Sequence, residues 1–278
     1  IAGCGGYAAQ SVWIIRDKGM MAQSTGEVAG HVAGLYRYPV KSMAGEALCE
    51  ANVHWAGVEG DRRYAFLRAD GRNAMQVDFP WFTGREYPPL VTYKAEYETR
   101  DGKASSRVRV TTPSGDVLDV GSDALNAELS QRSAKAVSLL RLGRGAYDGS
   151  ALSLLSTAST ADVARATGHG TLSPLRFRPN IVVDLADGTH EDQWVGGALS
   201  IGGGENPLKL WVTRTDKRCM MINIDPSTGQ QQPEILRHVA QARQTMLGIY
   251  ATVLAPGVIR IGDEIRLISL TQAQDQPG

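Results

Sequence analysis

Cysteine is scarce in this chain of 278 residues, which contains only Cys4, Cys49 and Cys219 and no CxxC pair. Three isolated cysteines make no disulfide framework and cannot supply the four thiolates that an iron–sulfur cluster needs. Such usage is typical of a reducing compartment, so we expect a cytoplasmic protein. Apolar runs are also short, well below the roughly 20 residues of a membrane helix, and no secretory signal pattern is present. We therefore expect no membrane span.

The chain also lacks an excess of charge, because its 29 lysines and arginines balance its 29 aspartates and glutamates. This balance excludes a global attraction to nucleic acid or to anionic membranes, so any anion site must come from a local cluster of cations. The five histidines lack the spacing of a zinc site, and no G-x-S-x-G elbow indicates a serine hydrolase. We expect no nucleic-acid partner.

The start of the chain differs from the rest. It is rich in glycine and alanine and contains the pair Met20-Met21, where we expect native translation to begin. The string Gly3–Ala8 matches the dinucleotide fingerprint G-x-G-x-x-A, but no strand precedes it. We predict that residues 1–30 are a disordered or non-native leader and that residues 271–278 form a frayed polar tail.

Short strand-like segments dominate the first half of the chain from His31 onward. Turn signals follow one another every ten residues or so, with hardly any helical periodicity, which favours a barrel or a sandwich over an α/β sheet. The predicted strands are His31–Pro39, Glu46–Val58, Tyr64–Leu67, Leu90–Glu98, Arg107–Thr112 and Val117–Val120, with a hairpin turn at Ala69–Gly71.

The second half mixes strands with a few short helices. Apolar spacing and capping residues predict helices over Ser122–Ser130, Ser156–Thr167 and Pro233–Met246, and Gly168 is placed as the C′ residue of the second. The predicted fold class is therefore mixed and mainly β. Further strands are predicted at Val137–Arg141, Arg178–Asp184, Ala198–Ile201, Leu208–Thr213, Gly248–Leu254, Val258–Ile261 and Glu264–Ile268.

Cys219 lies where the chain changes from a polar, basic stretch to an apolar run. The stretch Arg214–Arg218 precedes it, and the run Met220–Ile224, which we expect to be a strand, follows it. Neighbouring cations favour the thiolate, the form that attacks electrophiles or binds soft metals. The alternative is a small buried residue at the start of a strand.

Basic and small polar residues recur at other strand ends. Arginine recognises phosphate through two parallel charge-assisted hydrogen bonds, and backbone amides or hydroxyls complete the shell. The alternative for each of these residues, taken singly, is a solvent-exposed charge at the end of a strand without a ligand. Together with Cys219 they indicate an anionic ligand whose reactive end is a soft metal. The segments are Lys41-Ser42, Asp61-Arg62-Arg63, Thr83-Gly84-Arg85, Asp148-Gly149-Ser150 and Arg176–Asn180.

Five segments resemble the MOSC family, which is named for the C-terminal region of molybdenum cofactor sulfurases and includes the mitochondrial amidoxime-reducing component. No single segment is diagnostic, but five in the family's order are specific. The segments are Tyr38–Ser42, Gly60–Tyr64, Arg176–Val183, Arg218-Cys219 with Ile224–Gly229, and Pro256–Asp263.

The resemblance implies an N-terminal β-barrel-like domain over residues 31–121 and a MOSC β-barrel over residues 122–270, with the molybdenum cofactor (Mo-molybdopterin) bound between them. A family cysteine that matches Cys219 ligates molybdenum, which makes Cys219 the implied metal ligand and catalytic residue. The residues implied to hold the pterin and its phosphate are Lys41, Ser42, Arg62, Ser150, Arg178, Asn180 and Arg218.

The resemblance further implies an oxidoreductase that reduces small N-oxygenated compounds, such as N-hydroxylated amidines or hydroxylamines, with electrons from a separate donor protein. Lys217 departs from the pattern, because amidoxime-reducing members have a small residue there. This sequence also has neither the ferredoxin extension of some bacterial relatives nor the pyridoxal phosphate-dependent domain of the sulfurases. One alternative is a carrier that hands on the cofactor or its sulfur without turnover; another is a MOSC-like barrel that has lost the cofactor.

Overall fold

The computed structural model describes residues 20–68, 80–100, 103–185 and 190–272. The helices in this part of the chain are α1 (Asp123–Ser133), α2 (Thr157–Ala166) and α3 (Pro233–Arg243), with 3₁₀ helices at Pro88–Thr92, Pro174–Phe177, Glu191–Trp194 and Met220–Asn223. The strands are β1 (Met20–Arg37), β2 (Glu46–Leu48), β3 (Glu50–His54), β4 (Gly57–Val58), β5 (Tyr64–Arg68), β6 (Trp81–Phe82), β7 (Lys94–Arg100), β8 (Lys103–Thr111), β9 (Val117–Asp119), β10 (Val137–Arg141), β11 (Leu152–Ser156), β12 (Ile181–Leu185), β13 (Ala198–Ile201), β14 (Leu208–Lys217), β15 (Met246–Ala255), β16 (Gly257–Arg260) and β17 (Glu264–Gln272).

Seven strands form a closed barrel in the order β12-β11-β15-β14-β13-β17-β1, and β12 pairs with β1 to close it. All neighbouring pairs are antiparallel except β11 and β12, which are parallel. At the closing seam Val32 lies opposite Val183 and Leu35 opposite Ile181, and all four side chains are part of the barrel core. Closure satisfies the strand edges that an open sheet would expose. The mainly β fold class predicted from the sequence is confirmed.

Strand β11 is buried on both faces, which explains why its three leucines do not alternate strictly with polar residues. Leu152 and Leu154 belong to the barrel core, whereas Leu155 packs outside the barrel with Val163 of α2 and Val239 of α3. Strands covered on both faces show continuous apolar runs instead of alternation. The two helices therefore cover this side of the barrel.

Local capping signals place the helices where the sequence predicted them. Ser156 Oγ accepts a hydrogen bond from Ser159 N at 2.9 Å, which caps α2, and Gly168 beyond its C-terminus has a φ of 74°. Ser122 caps α1 in the same way through Leu125 N at 3.2 Å. A helix is present in each of the three predicted segments, but the third ends at Arg243, and Met246, which was predicted to lie in it, begins β15.

A second hydrophobic core lies outside the barrel. It is built from the sheets β10-β5-β6 and β7-β8-β9 and from α1, with Phe66 and Phe82 fully buried inside it. Leu125, Leu129 and Val137 also pack there, although they follow residue 121, where the sequence analysis divided the chain. The packing therefore separates the two cores later, between β10 and β11.

The segment that follows β1 joins the two cores. Val40 forms a parallel bridge with Tyr64, and Ala44 forms one with Lys94. Lys41 N donates a hydrogen bond to Tyr64 O at 2.8 Å. Lys41 is thereby held at the junction between the barrel and the second core.

Two predicted strands are partly 3₁₀ helices. The strand predicted over Leu90–Glu98 starts only at Lys94, because the preceding Pro88–Thr92 opens with two prolines that have no N–H for a strand ladder. The apolar run after Cys219 is also a 3₁₀ helix, Met220–Asn223, so the strand predicted there is wrong. Four apolar or amide residues in a row do not by themselves distinguish one helical turn from a strand.

Strand β1 begins at Met20 and pairs with β17, so residues 20–30 of the predicted leader lie in a barrel strand. This corrects the leader prediction for those residues. Residues 1–19 and 273–278 and the turn predicted at Ala69–Gly71 lie outside the described residues. No helix in the described ranges has both the length and the apolar character required to cross a bilayer.

Candidate cofactor-binding site

A cavity of about 310 Å³ opens between the barrel and the second core. Eight arginines and lysines line it against two carboxylates, so it favours an anion. The fold brings together every residue that the sequence analysis selected, from positions up to 178 residues apart: Lys41, Ser42, Arg62, Ser150, Arg178, Asn180, Arg218 and Cys219.

Two arginine side chains lie over the ring of Tyr38. Arg178 Cζ is 4.3 Å and Arg62 Cζ 4.8 Å from the ring centroid, which are cation–π distances. Asp61, which is fully buried, pairs with Arg62 and accepts a hydrogen bond from Tyr38 N at 2.7 Å. Tyr38 and Asp61 together hold two like charges at the cavity wall.

Both arginines have a left-handed backbone conformation, with φ of 50° for Arg62 and 55° for Arg178, and Ser42 has a φ of 66°. Such values are uncommon outside glycine and persist where the surroundings impose them. Arg62 Nη2 donates to Arg178 O at 3.1 Å, and Arg178 Nη1 donates to Met43 O at 2.7 Å. These bonds join the barrel to the segment before the second core and set the direction of both side chains.

The guanidinium group of Arg178 has a hydrogen-bond donor that is not used within the described residues. Burial, with a smaller contribution from Arg62, lowers the pKa of Arg178 to about 10. Its Nη2 atom is buried and has no hydrogen-bond partner among the described residues. An unpaired buried donor costs about 1–3 kcal/mol. An anion in the cavity would supply the missing partner and stabilise the charged guanidinium group.

Lys41 is held by the loop that precedes β11. It is 4% exposed, Nζ donates to Ala146 O at 2.6 Å, and the ammonium group pairs with Asp148. Burial lowers the pKa of Lys41, and Asp148 opposes this effect. Nearby, Ser150 Oγ donates to Ala251 O at 3.0 Å, which anchors the same loop on β15.

Arg218 is the centre of a buried polar network. Its Nε donates to Leu247 O at 2.6 Å and its Nη1 to Phe177 O at 2.7 Å. Nη1 also lies 2.9 Å from Asp216 Oδ2, and that carboxylate accepts a bond from Ser153 Oγ at 3.1 Å. The network fixes the end of β14 directly before the cysteine. Like Arg178, Arg218 keeps a buried Nη2 without a partner in the described part of the chain.

Asn180 joins two barrel strands. Its Oδ1 accepts from Ser153 N and its Nδ2 donates to Tyr36 O, both at 3.3 Å. An amide nitrogen has two donor hydrogens, so one remains for a ligand. The residue is 1% exposed, which limits it to contact with a group inside the cavity.

The thiol of Cys219 contacts an arginine of the second core, Arg85. Its partly exposed thiol lies at the start of the 3₁₀ helix Met220–Asn223, and Arg85 Nη2 donates to Sγ at 3.3 Å. Arg85 follows β6 of the second core, so the contact spans the junction. A neighbouring cation stabilises a thiolate, which is a soft metal ligand.

The residues present fit a molybdenum cofactor. Within the described ranges no three His, Cys, Asp or Glu side chains are placed to hold a metal ion. A metal at Cys219 must therefore bring most of its ligands with it, as a metal held by an organic cofactor does. The unpartnered nitrogens of Arg178 and Arg218 suit the anionic part of such a group.

Sequence reasoning did not select three residues that shape the site: Tyr38, Asp216 and Tyr250. Asp216 had a signal, because it is the one acidic residue in the basic stretch before Cys219. Tyr250 had none, since its place on the wall depends on its pairing with Arg214 across β14 and β15. Burial, and secondarily Asp216, raises the pKa of Tyr250, so it is a neutral hydrogen-bonding group there.

A closed barrel joined to a second β core, with a basic cavity at the junction, defines a two-core β protein with an anion site. The chain matches the MOSC domain over residues 142–266 and the MOSC N-terminal beta barrel domain over residues 29–156. It therefore belongs to the MOSC family, and the resemblance found in the sequence is confirmed.

Individual relatives are distant. Mitochondrial amidoxime-reducing component 1 of Mus musculus is 26% identical over 291 residues, covering 86% of this chain and 82% of that protein. The Homo sapiens protein of that name is 30% identical over 134 residues, covering 44% of this chain and 38% of its own. Molybdenum cofactor sulfurase of Drosophila erecta is 35% identical over 83 residues, covering 29% of this chain and 10% of that protein. The match thus spans less than two thirds of the human protein and of the sulfurase.

Proposed function

We propose that this protein binds the molybdenum cofactor between its two cores and reduces small N-oxygenated compounds, such as N-hydroxylated amidines or hydroxylamines. The observation that carries the proposal is the position of Cys219, a partly exposed thiol in a cavity lined by eight cations and two carboxylates. A soft sulfur ligand beside an anion-binding wall is what a metal–pterin–phosphate cofactor requires. Similarity to amidoxime-reducing component 1 over 86% of the chain supports the choice of substrate class.

Each part of the cavity has a task in this proposal. Lys41, Arg62 and Arg178 neutralise the phosphate, with the unpartnered Nη2 of Arg178 available to it. Arg218 holds the end of the strand that precedes Cys219. Its Nη2 atom, like that of Arg178, is a buried donor without a partner among the described residues and is available to the anion. When bound, the cofactor supplies two-electron redox chemistry, with Cys219 as its protein ligand. Ser42, Ser150 and Asn180 complete the contacts to the pterin.

The net reaction balances with two electrons from an external donor and two protons from water. An N-hydroxylated amidine takes up two electrons and two protons, its N–O bond breaks, water leaves and the amidine remains. The electrons are assigned to a separate donor protein, because the three isolated cysteines of this sequence cannot hold an iron–sulfur cluster.

The test starts from protein purified from a host that makes molybdopterin. We expect equimolar molybdenum and pterin, and turnover of benzamidoxime with reduced viologen but not with NADH alone. Steady turnover with NADH and no partner would contradict the separate donor. Full molybdenum content without turnover over a broad N-hydroxy and N-oxide panel would support a cofactor carrier instead. Absence of both molybdenum and pterin would refute both functions.

A further inference from the structure

The two carboxylates in the cavity wall are already neutralised. Asp148 pairs with Lys41, and Asp216 pairs with Arg218 at 2.9 Å. Each carboxylate offsets one of the eight positive charges that line the cavity. The net charge of the cavity is therefore set by the cations that have no carboxylate partner.

Two such cations lie on β14, which ends two residues before Cys219. Arg214 and Lys217 are both exposed, and neither forms an ion pair with a described residue. Arg214 Nη2 donates to Gly149 O at 3.1 Å, and its guanidinium group lies 5.3 Å over the Tyr250 ring. The Lys217 side chain makes neither a hydrogen bond nor an ion pair within the described ranges, yet it lines the cavity.

These cations are separate from the ones that the cofactor would use. Lys41 and Arg178 are held at the junction of the two cores, whereas Lys217 ends β14 two positions before Cys219. Arg85 adds a third positive group, 3.3 Å from the Cys219 sulfur. Arg85, Arg214 and Lys217 are therefore cavity cations to which the proposed function gives no contact with the cofactor.

From this charge arrangement, and building on the proposed function, we infer that the substrate carries an anionic group, such as a carboxylate, in addition to its N-oxygenated centre. Lys217 is the specificity-determining residue, because it is the exposed cation nearest Cys219 in the chain and has no side-chain partner of its own. Arg214, fixed by Gly149 and Tyr250, provides a second and more rigid positive group. A carboxylate on the substrate would pair with Lys217, whereas a cationic compound would be repelled.

The first measurement compares benzamidoxime with 4-carboxybenzamidoxime, using reduced viologen as donor. We expect the carboxylated compound to have the higher kcat/KM. In Lys217→Gln the ratio of the two kcat/KM values should fall about tenfold, through KM of the carboxylated compound, since one charge-assisted contact is lost. Lys209→Gln is the matched control, because Lys209 lies in the same strand and does not line the cavity; it should leave the ratio unchanged.

The second measurement needs no turnover. Benzoate and benzamide are titrated calorimetrically into the protein as purified, and benzoate should bind more tightly, with that advantage reduced in Lys217→Gln. Equal affinities that Lys217→Gln does not alter would overturn the inference, even if benzamidoxime is reduced. A Lys217-dependent benzoate preference without any turnover would uphold the anion site and reject the reductase instead.

Discussion

Substitution of Arg178 by alanine tests the cofactor cradle most directly. In the structure Arg178 Nη1 donates to Met43 O at 2.7 Å, and the guanidinium group lies 4.3 Å over the Tyr38 ring. Its remaining nitrogen, Nη2, is buried without a partner among the described residues. The substitution therefore removes two satisfied contacts and one unsatisfied donor.

Arg178→Ala has two opposing effects on the stability of the cofactor-free protein. The bond to Met43 contributes about 1.5–3 kcal/mol, as expected for a charged donor. The contact with Tyr38 adds about 0.5–2 kcal/mol. Removing a buried cation whose pKa is lowered to about 10 and whose Nη2 is unpaired recovers part of this loss. With the cofactor bound, Nη2 has its partner and nothing is recovered, so the substitution should weaken cofactor binding by a further 1.5–3 kcal/mol, about tenfold or more.

The assay measures two quantities for each variant, pterin content after gel filtration and the melting temperature of the cofactor-free protein. Arg63→Ala is the matched control, because Arg63 Nε also donates to a backbone carbonyl, Leu142 O at 2.9 Å, but does not line the cavity. We expect Arg178→Ala to lose most of its pterin and Arg63→Ala to keep it. Equal pterin content in the two variants would refute the cradle.

Two further substitutions test the remaining parts of the site. Cys219→Ser should abolish molybdenum retention or turnover without lowering the melting temperature, because a hydroxyl is a harder ligand that stays protonated; the exposed Cys49→Ser, away from the cavity, should retain both. Unchanged activity in Cys219→Ser would remove the metal-ligand assignment. Asp216→Ala should destabilise the protein by about 3–5 kcal/mol in denaturant unfolding, since it leaves Arg218 as an uncompensated buried charge. The exposed Asp184→Ala, which loses a bond from Thr157 Oγ1 at 2.8 Å, should cost far less, and equal losses would show that the Arg218 network does not hold the strand.

Strand and helix content was predictable because the local signals agree with the packing. Ser122 and Ser156 cap the helices that follow them, and the strands predicted at Val137–Arg141 and Ala198–Ile201 have the predicted bounds. The run after Cys219 was not predictable, because a single 3₁₀ turn and a short strand place apolar residues at similar intervals. The division between the two cores was missed for a related reason: α1 and β10 carry no mark that shows which core they join.

The candidate site was predicted from the basic segments at strand ends, together with Cys219, and from the ordered family segments, but its geometry could not be predicted. Arg62 and Arg178 have left-handed backbone conformations, which are usually found at glycine. The residue type at these two positions therefore does not indicate the conformation. The partners that orient the cations, such as Asp148 for Lys41 and Asp216 for Arg218, depend on long-range register. A sequence pattern identifies such charges but not their pairing.

The junction between the cores explains why the binding residues are distributed as they are. Arg62 comes from the segment that leads into the second core, whereas Arg178 precedes a barrel strand, and they meet over the same Tyr38 ring. Across the same boundary Arg85 reaches Cys219. An anion bound there would interact with both cores at once, so it would stabilise their docked arrangement by an amount that grows with the logarithm of its affinity and concentration. Arg62 is paired with Asp61, whereas Arg178 has no carboxylate partner among the described residues, so the proposed anion would supply its counter-charge.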